Sequence, residues 1–384
     1  MNRRRILNWL RTDDPARLEG LWRRADDARR RNVGEEVHLR ALVEFSNHCV
    51  RQCAYCGLRA PADVPRYRMT DREILACADR AAERGCGTIV LQSGEDPQVG
   101  AAWLADVIAR IKRRTPLAVT LSVGERHEDE LALWRRAGAD RYLLRFETSD
   151  ADLYGRIHPS RPGQLGGRLE LLRALRRLDY EVGSGVMVGL PGQRWESLAG
   201  DIALFAELEL DMIGVGPYIP HSGTPMGAGQ FPPASPDRQV PADAATACKV
   251  VALTRLLCPR TNIPATTSVA TLDPAGGYEA ALRCGANVIM PNFTPPRCRR
   301  LYSIYPNKAG VRDAEDTTDR IRGRIVAIGR RVGVGRGDSP RYTTRVEAIL
   351  RAAGSKSDDA ERPSQFPESA CRSASLVFPT PPEH

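Results

Sequence analysis

Short runs of Val, Ile, Leu, Met and Tyr recur along the chain at 39–45, 88–92, 118–122, 141–145, 181–188, 212–216, 263–267 and 287–290. Between them lie stretches with apolar residues at helical spacing, at about 70–84, 102–114, 127–137, 166–178, 195–209, 242–257 and 276–284. Near-continuous apolar runs suit strands buried on both faces of a parallel sheet. Thr70-Asp71-Arg72-Glu73 has the form of a capping box opening the first helix, and Gly85 supplies its stop. Eight strands alternating with helices predict an α/β fold: a complete (β/α)8 TIM-type barrel with an N-terminal helical cap and a C-terminal extension. An open doubly wound sheet has the same period. The barrel is favoured because unusual residues collect at the C-terminal end of every run, where such barrels place their active sites. These are a Cys-rich loop, Ser93–Asp96, Ser122 with Gly124 and Glu125, Arg145 with Glu147, Gly189–Gly192, Pro217–Pro220, Thr266-Thr267 and Met290–Asn292.

The pattern also sets boundaries. Residues 1–36 form the predicted cap, with a helix start at Asp13-Asp14-Pro15 followed by Leu18, Leu21 and Trp22. The barrel spans 37–296, a helical extension 297–353, and 354–384, rich in Ser, Pro and charge, is expected to be a disordered tail. The Gly- and Pro-rich stretch 222–241 is expected to be a long surface loop.

Composition changes little. With 384 residues, 42% hydrophobic and 27% charged, the chain can bury a sizeable core. The net charge of +9 raises nucleic acid as a partner. However, the Arg residues are spread along the chain without interleaved aromatics, so runs such as Arg29-Arg30-Arg31 are better explained as a solvated helix face. The charge suits docking to an acidic protein, weakened by salt. No run of about 18 apolar residues marks a membrane span, and MNRRRILNWL is no signal-peptide core. A reducing cytoplasm is therefore expected, where Cys serves metals or catalysis.

That expectation directs attention to FSNHCVRQCAYCGLR, residues 45–59. Cys49, Cys53 and Cys56 stand at C-x3-C-x2-C. Three thiolates can hold three irons of a [4Fe–4S] cluster and leave the fourth open to a substrate. This arrangement resembles the signature of radical S-adenosylmethionine (SAM) enzymes. A zinc knuckle completed by His48 or a distant Cys, or three unrelated thiols, remain open on spacing alone. SAM needs acceptors for its amino group and ribose and a cation for its carboxylate. Ser93-Gly94-Glu95-Asp96 resembles the second radical SAM motif, making Ser93 and Glu95 candidates for the amino group; a plain strand-ending turn is the alternative. Arg145 and Glu147, two apart at a strand end, can point the same way. Glu147 suits the ribose and Arg145 the carboxylate, with Arg168 a second cation; a surface ion pair is the alternative for the first two.

Further stretches extend the resemblance from about Leu39 to Tyr305: RYRMT, TIVLQSGEDP, VTLSVGER, AGADRYLLRFET, MVGLPGQ, DMIGVGPYIPH, TNIPATT, RCGANVIMPN and LYSIYP. Together they resemble the radical SAM maturases of [FeFe]-hydrogenase, the HydE family. The resemblance implies a complete (β/α)8 barrel, a cluster on Cys49, Cys53 and Cys56, and SAM cleaved to methionine and a 5′-deoxyadenosyl radical. It implies a ferredoxin or flavodoxin as reductant. The substrate would be a cysteine-bound Fe(CO)2(CN) complex delivered by the tyrosine-cleaving partner maturase, with attack at the cysteine sulfur. It also implies an internal cavity lined by Thr120, Arg141, Met212, Thr266, Thr267, Tyr302 and Tyr305, with Met290 near the adenosine. Ordinary core and rim packing is the alternative for these positions.

Two departures stand out. Ala309–Thr318 lacks the three further Cys that hold an accessory cluster in some family members, so a single cluster is expected. Phe146 replaces a His between Arg145 and Glu147. Two competing functions are a methylornithine synthase-type mutase and an iron–sulfur scaffold without turnover; a scaffold has no need of SAM-binding groups.

Overall fold

Several helices begin where short polar side chains cap them. In the computed structural model, which describes residues 1–160, 167–308 and 315–358, α1 (Arg3–Leu10) is followed by α2 (Pro15–Val33), whose N-cap Asp14 accepts from the amides of Ala16 and Arg17. The capping box at Thr70 and Glu73 opens α3 (Asp71–Glu83), and Gly85 beyond its end has φ +67°. The remaining helices are α4 (Ala101–Arg114), α5 (Glu128–Arg136), α6 (Ala151–Ile157), α7 (Arg168–Arg177), α8 (Trp195–Glu207), α9 (Ala244–Leu257), α10 (Thr267–Leu272), α11 (Gly277–Arg283), α12 (Pro296–Arg299), α13 (Glu315–Ala327) and α14 (Pro340–Asp358). The strands are β1 (Glu36–Ser46), β2 (Thr88–Ser93), β3 (Ala118–Ser122), β4 (Arg141–Leu143), β5 (Glu181–Val188), β6 (Met212–Pro217), β7 (Val288–Ile289) and β8 (Arg331–Val332).

All strand pairs are parallel, in the order β6-β5-β4-β3-β2-β1-β7, with β8 beside the start of β1. Helices α3, α4 and α9 pack on the sheet, and α1 and α2 pack against α8 and α9. The core between sheet and helices is built on Phe45, Trp134, Tyr142, Phe146, Tyr180 and Phe205, all buried. Residues Met1–Thr343 form one compact unit, and the part of α14 from Thr344 belongs to a second.

Two expectations are corrected. The run 263–267 is not a strand. Its neighbourhood makes only isolated parallel bridges, Met212 with Asn262 and Pro264 with Val288. Pro264 has no N–H to extend a ladder, and Thr267 already begins α10. The sheet path therefore has seven strands, not a complete eight. The 297–353 region is also not purely helical, because β8 joins the sheet. Of the expected tail, 354–358 belongs to α14, and 359–384 lies outside the described residues.

The segment after β8 closes the amino ends of the strands. The Arg336 carbonyl accepts from Thr88 Oγ1 and Arg141 Nη2, both at 2.9 Å. The Gly337 carbonyl accepts from Arg40 Nη2 at 3.0 Å and Asn262 Nδ2 at 2.9 Å. A Cβ on Gly87 would lie 1.5 Å from the Gly335 carbonyl oxygen, so only Gly permits this approach.

Candidate active site

At the opposite end, β1 runs directly into the Cys loop. Asn47 shapes the turn: its Nδ2 donates to the carbonyls of Pro65 (2.8 Å) and Leu301 (2.9 Å), and its Oδ1 accepts from the Tyr67 amide. Arg66 gathers the loop by donating to the carbonyls of Asn47, Leu58, Arg59 and Ala62. The Ser93–Asp96 turn is fastened to the same loop. The Val50 amide donates to the Glu95 carbonyl at 3.0 Å, and a Cβ on Gly94 would lie 2.2 Å from the His48 carbonyl.

Amides already point at two of the sulfurs. Cys49 Sγ accepts from the amides of Arg51 and Glu95, and Cys56 Sγ from that of Leu58, each at 3.4 Å. Burial pushes the Cys53 thiol up to about 12 and raises those of Cys49 and Cys56. Buried thiols of this kind become thiolates when a metal balances their charge. Among the described residues no three His, Cys, Asp or Glu side chains converge on a single ion. Three thiols in one loop, two already met by backbone amides, are the donor set that holds three irons of a four-iron cube and leaves the fourth for a ligand.

Beside the thiols lies a buried charged group. Arg168, at the start of α7, donates through Nε to Glu125 Oε1 at 2.9 Å, and Arg51 Nη2 reaches the same oxygen at 3.3 Å. Both guanidiniums also face His158, Arg51 at Nδ1 (2.8 Å) and Arg168 at Nε2 (2.5 Å). Burial, then Arg168 and Arg51, hold His158 down at about 2, so the ring is neutral. A neutral imidazole has one acceptor nitrogen for these two donors. Arg51 Nε and Nη1 and Arg145 Nε have no hydrogen-bond partner, and neither do Glu125 Oε2 and Glu147 Oε2. Glu147 Oε2 lies 3.1 Å from Arg145 Nη2 without bonding alignment. Buried polar atoms are almost always paired, so orphaned donors and acceptors side by side suit a zwitterion with hydroxyls, as SAM is. Glu147 is also held at φ +63°, a strained value for a residue with a Cβ. Ser93 Oγ donates to the Gly94 carbonyl at 2.6 Å, and Glu95 Oε2 accepts from the Glu125 amide at 3.1 Å. Phe146 is buried and packs on Phe205.

Below this group lies a cavity of about 150 Å³. Thr120, Met212, Thr266 and Met290 line it together with Arg145, and Thr120 Oγ1 has no partner. Arg141, Thr267, Tyr302 and Tyr305 are outside the lining; Tyr302 stands one contact behind it, its hydroxyl accepting from the lining residue Gln92 at Nε2, 3.3 Å away. Arg141 is drawn to the strands' amino ends by Glu181, Asp338 (2.5 Å) and Thr88 Oγ1 (2.7 Å). Thr267 bonds Tyr278, and Tyr305 bonds Thr271. Sequence reasoning missed Arg40, Gln92 and Asn262 and noted Ser122 only as a strand end; together they supply much of the polar lining. The signal for Arg40 was present: within the apolar run 39–45 only Arg40 and Glu44 are charged, four apart and so on one strand face. Of the cysteines weighed for a second cluster, Cys298 is buried on α12, while 309–314 and Cys371 lie outside the described residues.

A three-Cys loop at the carboxyl end of the first parallel strand, joined to SAM-sized groups of orphaned donors and acceptors, defines a class. The family model of the Radical SAM superfamily matches residues 43–205, and the chain is a radical SAM enzyme whose family cofactors are a [4Fe–4S] cluster and SAM. It is 47% identical over 294 residues to the [FeFe] hydrogenase maturase subunit HydE of Thermotoga maritima, covering 76% of this chain and 80% of that protein. The chain belongs to the HydE family. It is 27% identical over 341 residues to 3-methylornithine synthase of Methanosarcina acetivorans, covering 87% and 89%. Its fold is that of methylornithine synthase (PylB), with TM-score 0.74 at 24% identity over 91% of this chain and 96% of that one. The [FeFe]-hydrogenase maturase HydG shares the fold with TM-score 0.66 at 19% identity over 93% and 72%. Among the described residues no helix is long and apolar enough to cross a membrane.

Proposed function

We propose that the protein acts in assembly of the [FeFe]-hydrogenase cofactor, taking a cysteine-bound Fe(CO)2(CN) complex as substrate. The observation that carries this reading is the cavity wall: Arg40 and Arg145 line it, and among the described residues no Asp or Glu does. Among the described residues Arg40 forms no ion pair; it donates to the Gly337 carbonyl and touches Met212 Sδ at 2.8 Å. Burial, then Arg141, pull it down to about 9. Arg40, buried without an ion-paired acid among the described residues, suits an anionic, cyanide-bearing complex that supplies the missing charge; Arg145 beside it is half-buried and already paired with Glu147 at 3.1 Å. An amino-acid mutase would need a carboxylate for each substrate ammonium, which this wall does not offer.

Cys49, Cys53 and Cys56 would hold the cluster, which, with SAM on its open iron and one electron from a reductant, would supply reductive cleavage of SAM to methionine and a 5′-deoxyadenosyl radical. Arg145, Arg168 and Arg51 would orient the SAM carboxylate; Glu95, Ser93 and Glu147 would accept from its amino group and ribose. Thr120 and Thr266 would turn hydroxyls to the substrate, and Met290 would lie under the adenosine. A ferredoxin or flavodoxin is the proposed reductant, and the tyrosine-cleaving maturase the proposed source of substrate. The stretch 262–265 supports closure of the sheet into a ring: the Ile213 amide donates to Asn262 O (2.9 Å) and the Ala265 amide to Val288 O (2.8 Å).

The test is 5′-deoxyadenosine formation by anaerobically reconstituted protein with SAM and reductant. Stimulation by the iron complex and not by L-lysine is expected. Stimulation by lysine alone would move the protein to the mutase class, and no cleavage despite a full cluster would make it a scaffold.

A further inference from the structure

Residues 300–308 cross the cluster end of the sheet as a strap. Its backbone lies directly on the Cys loop: Asn47 Nδ2 donates to the Leu301 carbonyl at 2.9 Å, and the Gly57 amide to the Ile304 carbonyl at 3.1 Å. A Cβ on Gly57 would come within 2.3 Å of the Ser303 carbonyl, so Gly alone allows the contact. The far end of the strap is fastened differently. Lys308, 7% exposed, forms an ion pair with Glu44, which is wholly buried on β1. The second carboxylate oxygen of Glu44 accepts from Asn292 Nδ2 at 2.9 Å, so the acid is fully engaged.

The pair reaches the cavity through one intermediary. Lys308 Nζ sits 5.1 Å from the centre of the Tyr302 ring, and the Tyr302 hydroxyl accepts from Gln92 Nε2, which lines the cavity. Gln92 is the strand neighbour of Glu44 in the β1–β2 register. Neither Lys308 nor Glu44 lines the cavity. A buried ion pair is costly to desolvate and adds little stability beyond an apolar pair of the same size. What it does fix is geometry, since each charge tolerates only the position that meets the other.

We propose that Lys308 and Glu44 are positioning residues. Their ion pair latches the strap over the Cys loop and holds Tyr302 against Gln92 at the cavity wall, so that SAM cleavage stays coupled to conversion of the substrate. This rests on the cavity being the substrate chamber. Without the ion pair the strap keeps its hydrogen bonds to Asn47, Gly57, Gln92 and Thr271, but it opens more often, and the chamber then admits water while its wall residues wander.

Each single substitution strands a buried charge, so the deciding variant is the double Lys308→Met/Glu44→Gln, which removes both. It is expected to keep the wild-type melting temperature and iron content. Its Gly57 amide, bonded to the Ile304 carbonyl, should exchange with deuterium faster in the cluster-free chain, while the Gly333 amide at the far end, bonded to the Val37 carbonyl, exchanges as before. With the iron complex, the reconstituted variant should form about threefold or more 5′-deoxyadenosine per substrate consumed than wild type, at unchanged KM for SAM. Wild-type exchange at Gly57 together with a wild-type ratio overturns the latch. So does equal acceleration at Gly57 and Gly333, which marks general loosening. Should wild type itself ignore the iron complex, the functional reading fails, and the exchange arm still decides the latch.

Discussion

At the carboxyl ends of the strands, Arg51, Glu125, Arg145 and Glu147 each leave a buried polar atom without a hydrogen-bond partner. At the amino ends, Arg141 is as buried as Arg51, Glu125 and Glu147, while Arg145 is half-buried; yet the Arg141 guanidinium is taken up by Glu181, Asp338, Thr88 Oγ1 and the Arg336 carbonyl. What differs is satisfaction. The closed end has its partners within the chain, brought from residues 336–339, so its charges are structural. The cluster end withholds partners and also carries the strained φ of Glu147. Unpaired atoms and backbone strain together mark groups kept for ligands. Arg40 stands between the two: it belongs to the closed end by position, yet it lines the cavity and its Nε is unpartnered.

The comparison breaks most completely at the thiols. Cys56→Ala should drop iron from about four per chain to near none and abolish 5′-deoxyadenosine formation. Cys77→Ala, a buried thiol outside the loop, should leave the iron content unchanged; iron loss in both would show that the count reports folding, not ligation. Glu147→Gly comes next and separates strain from ligand binding. Glycine accepts φ +63° without cost, so the melting temperature should rise. SAM affinity, read by equilibrium binding, should fall about tenfold to a hundredfold with loss of the charged acceptor. Unchanged SAM affinity would remove Glu147 from the site.

The closed end should answer in the opposite way. Asp338→Asn takes one carboxylate from Arg141 and should cost about 1–3 kcal/mol in denaturant unfolding. SAM affinity should stay within experimental error, because among the described residues the ion pairs of Asp338 are with Arg141 and Arg336, at the end of the strands away from the cluster. A variant with normal stability and weakened SAM binding would erase the distinction between the ends.

The cluster end was legible because its signals are local. Three Cys in eight residues, the Ser93–Asp96 turn and Arg145 with Glu147 each declare themselves within a few positions. The strands and helices were legible for the same reason, down to the Thr70 capping box. The closed end was not. Residues 333–339 have neither helical nor strand period, and their partners at Thr88, Arg141 and Glu181 lie about 160 to 250 positions away. Gly333, Gly335 and Gly337 fall in the stretch expected to be helical, and only the structure shows Gly87 and His38 pressing on them. Arg141 illustrates the limit. Its place in the chain suited the cavity, but its direction was decided by Asp338, which nothing nearby in sequence announces. The run 263–267 failed for a nearer reason: its apolar pattern outvoted Pro264.

The smallest effect tests the support beneath Glu147. Asp201 on α8 is wholly buried, and its Oδ1 accepts from the Ser149 amide (2.5 Å) and hydroxyl (2.6 Å), which hold the chain just after Glu147. Burial pushes its carboxyl from 3.8 up to about 7, against the pull of those Ser149 and Thr148 hydrogen bonds. The folded chain therefore binds this proton more tightly than the unfolded chain does. The resulting stability is complete below about pH 4 and fades as pH rises through about 7. Asp201→Asn keeps a carbonyl oxygen for Ser149 and removes the titration. Its melting temperature should be flatter than that of wild type between pH 5 and 8, and the gap between the two should narrow toward acid. Parallel curves would mean that Asp201 is ionised in the fold, and that Ser149, not burial, governs its proton.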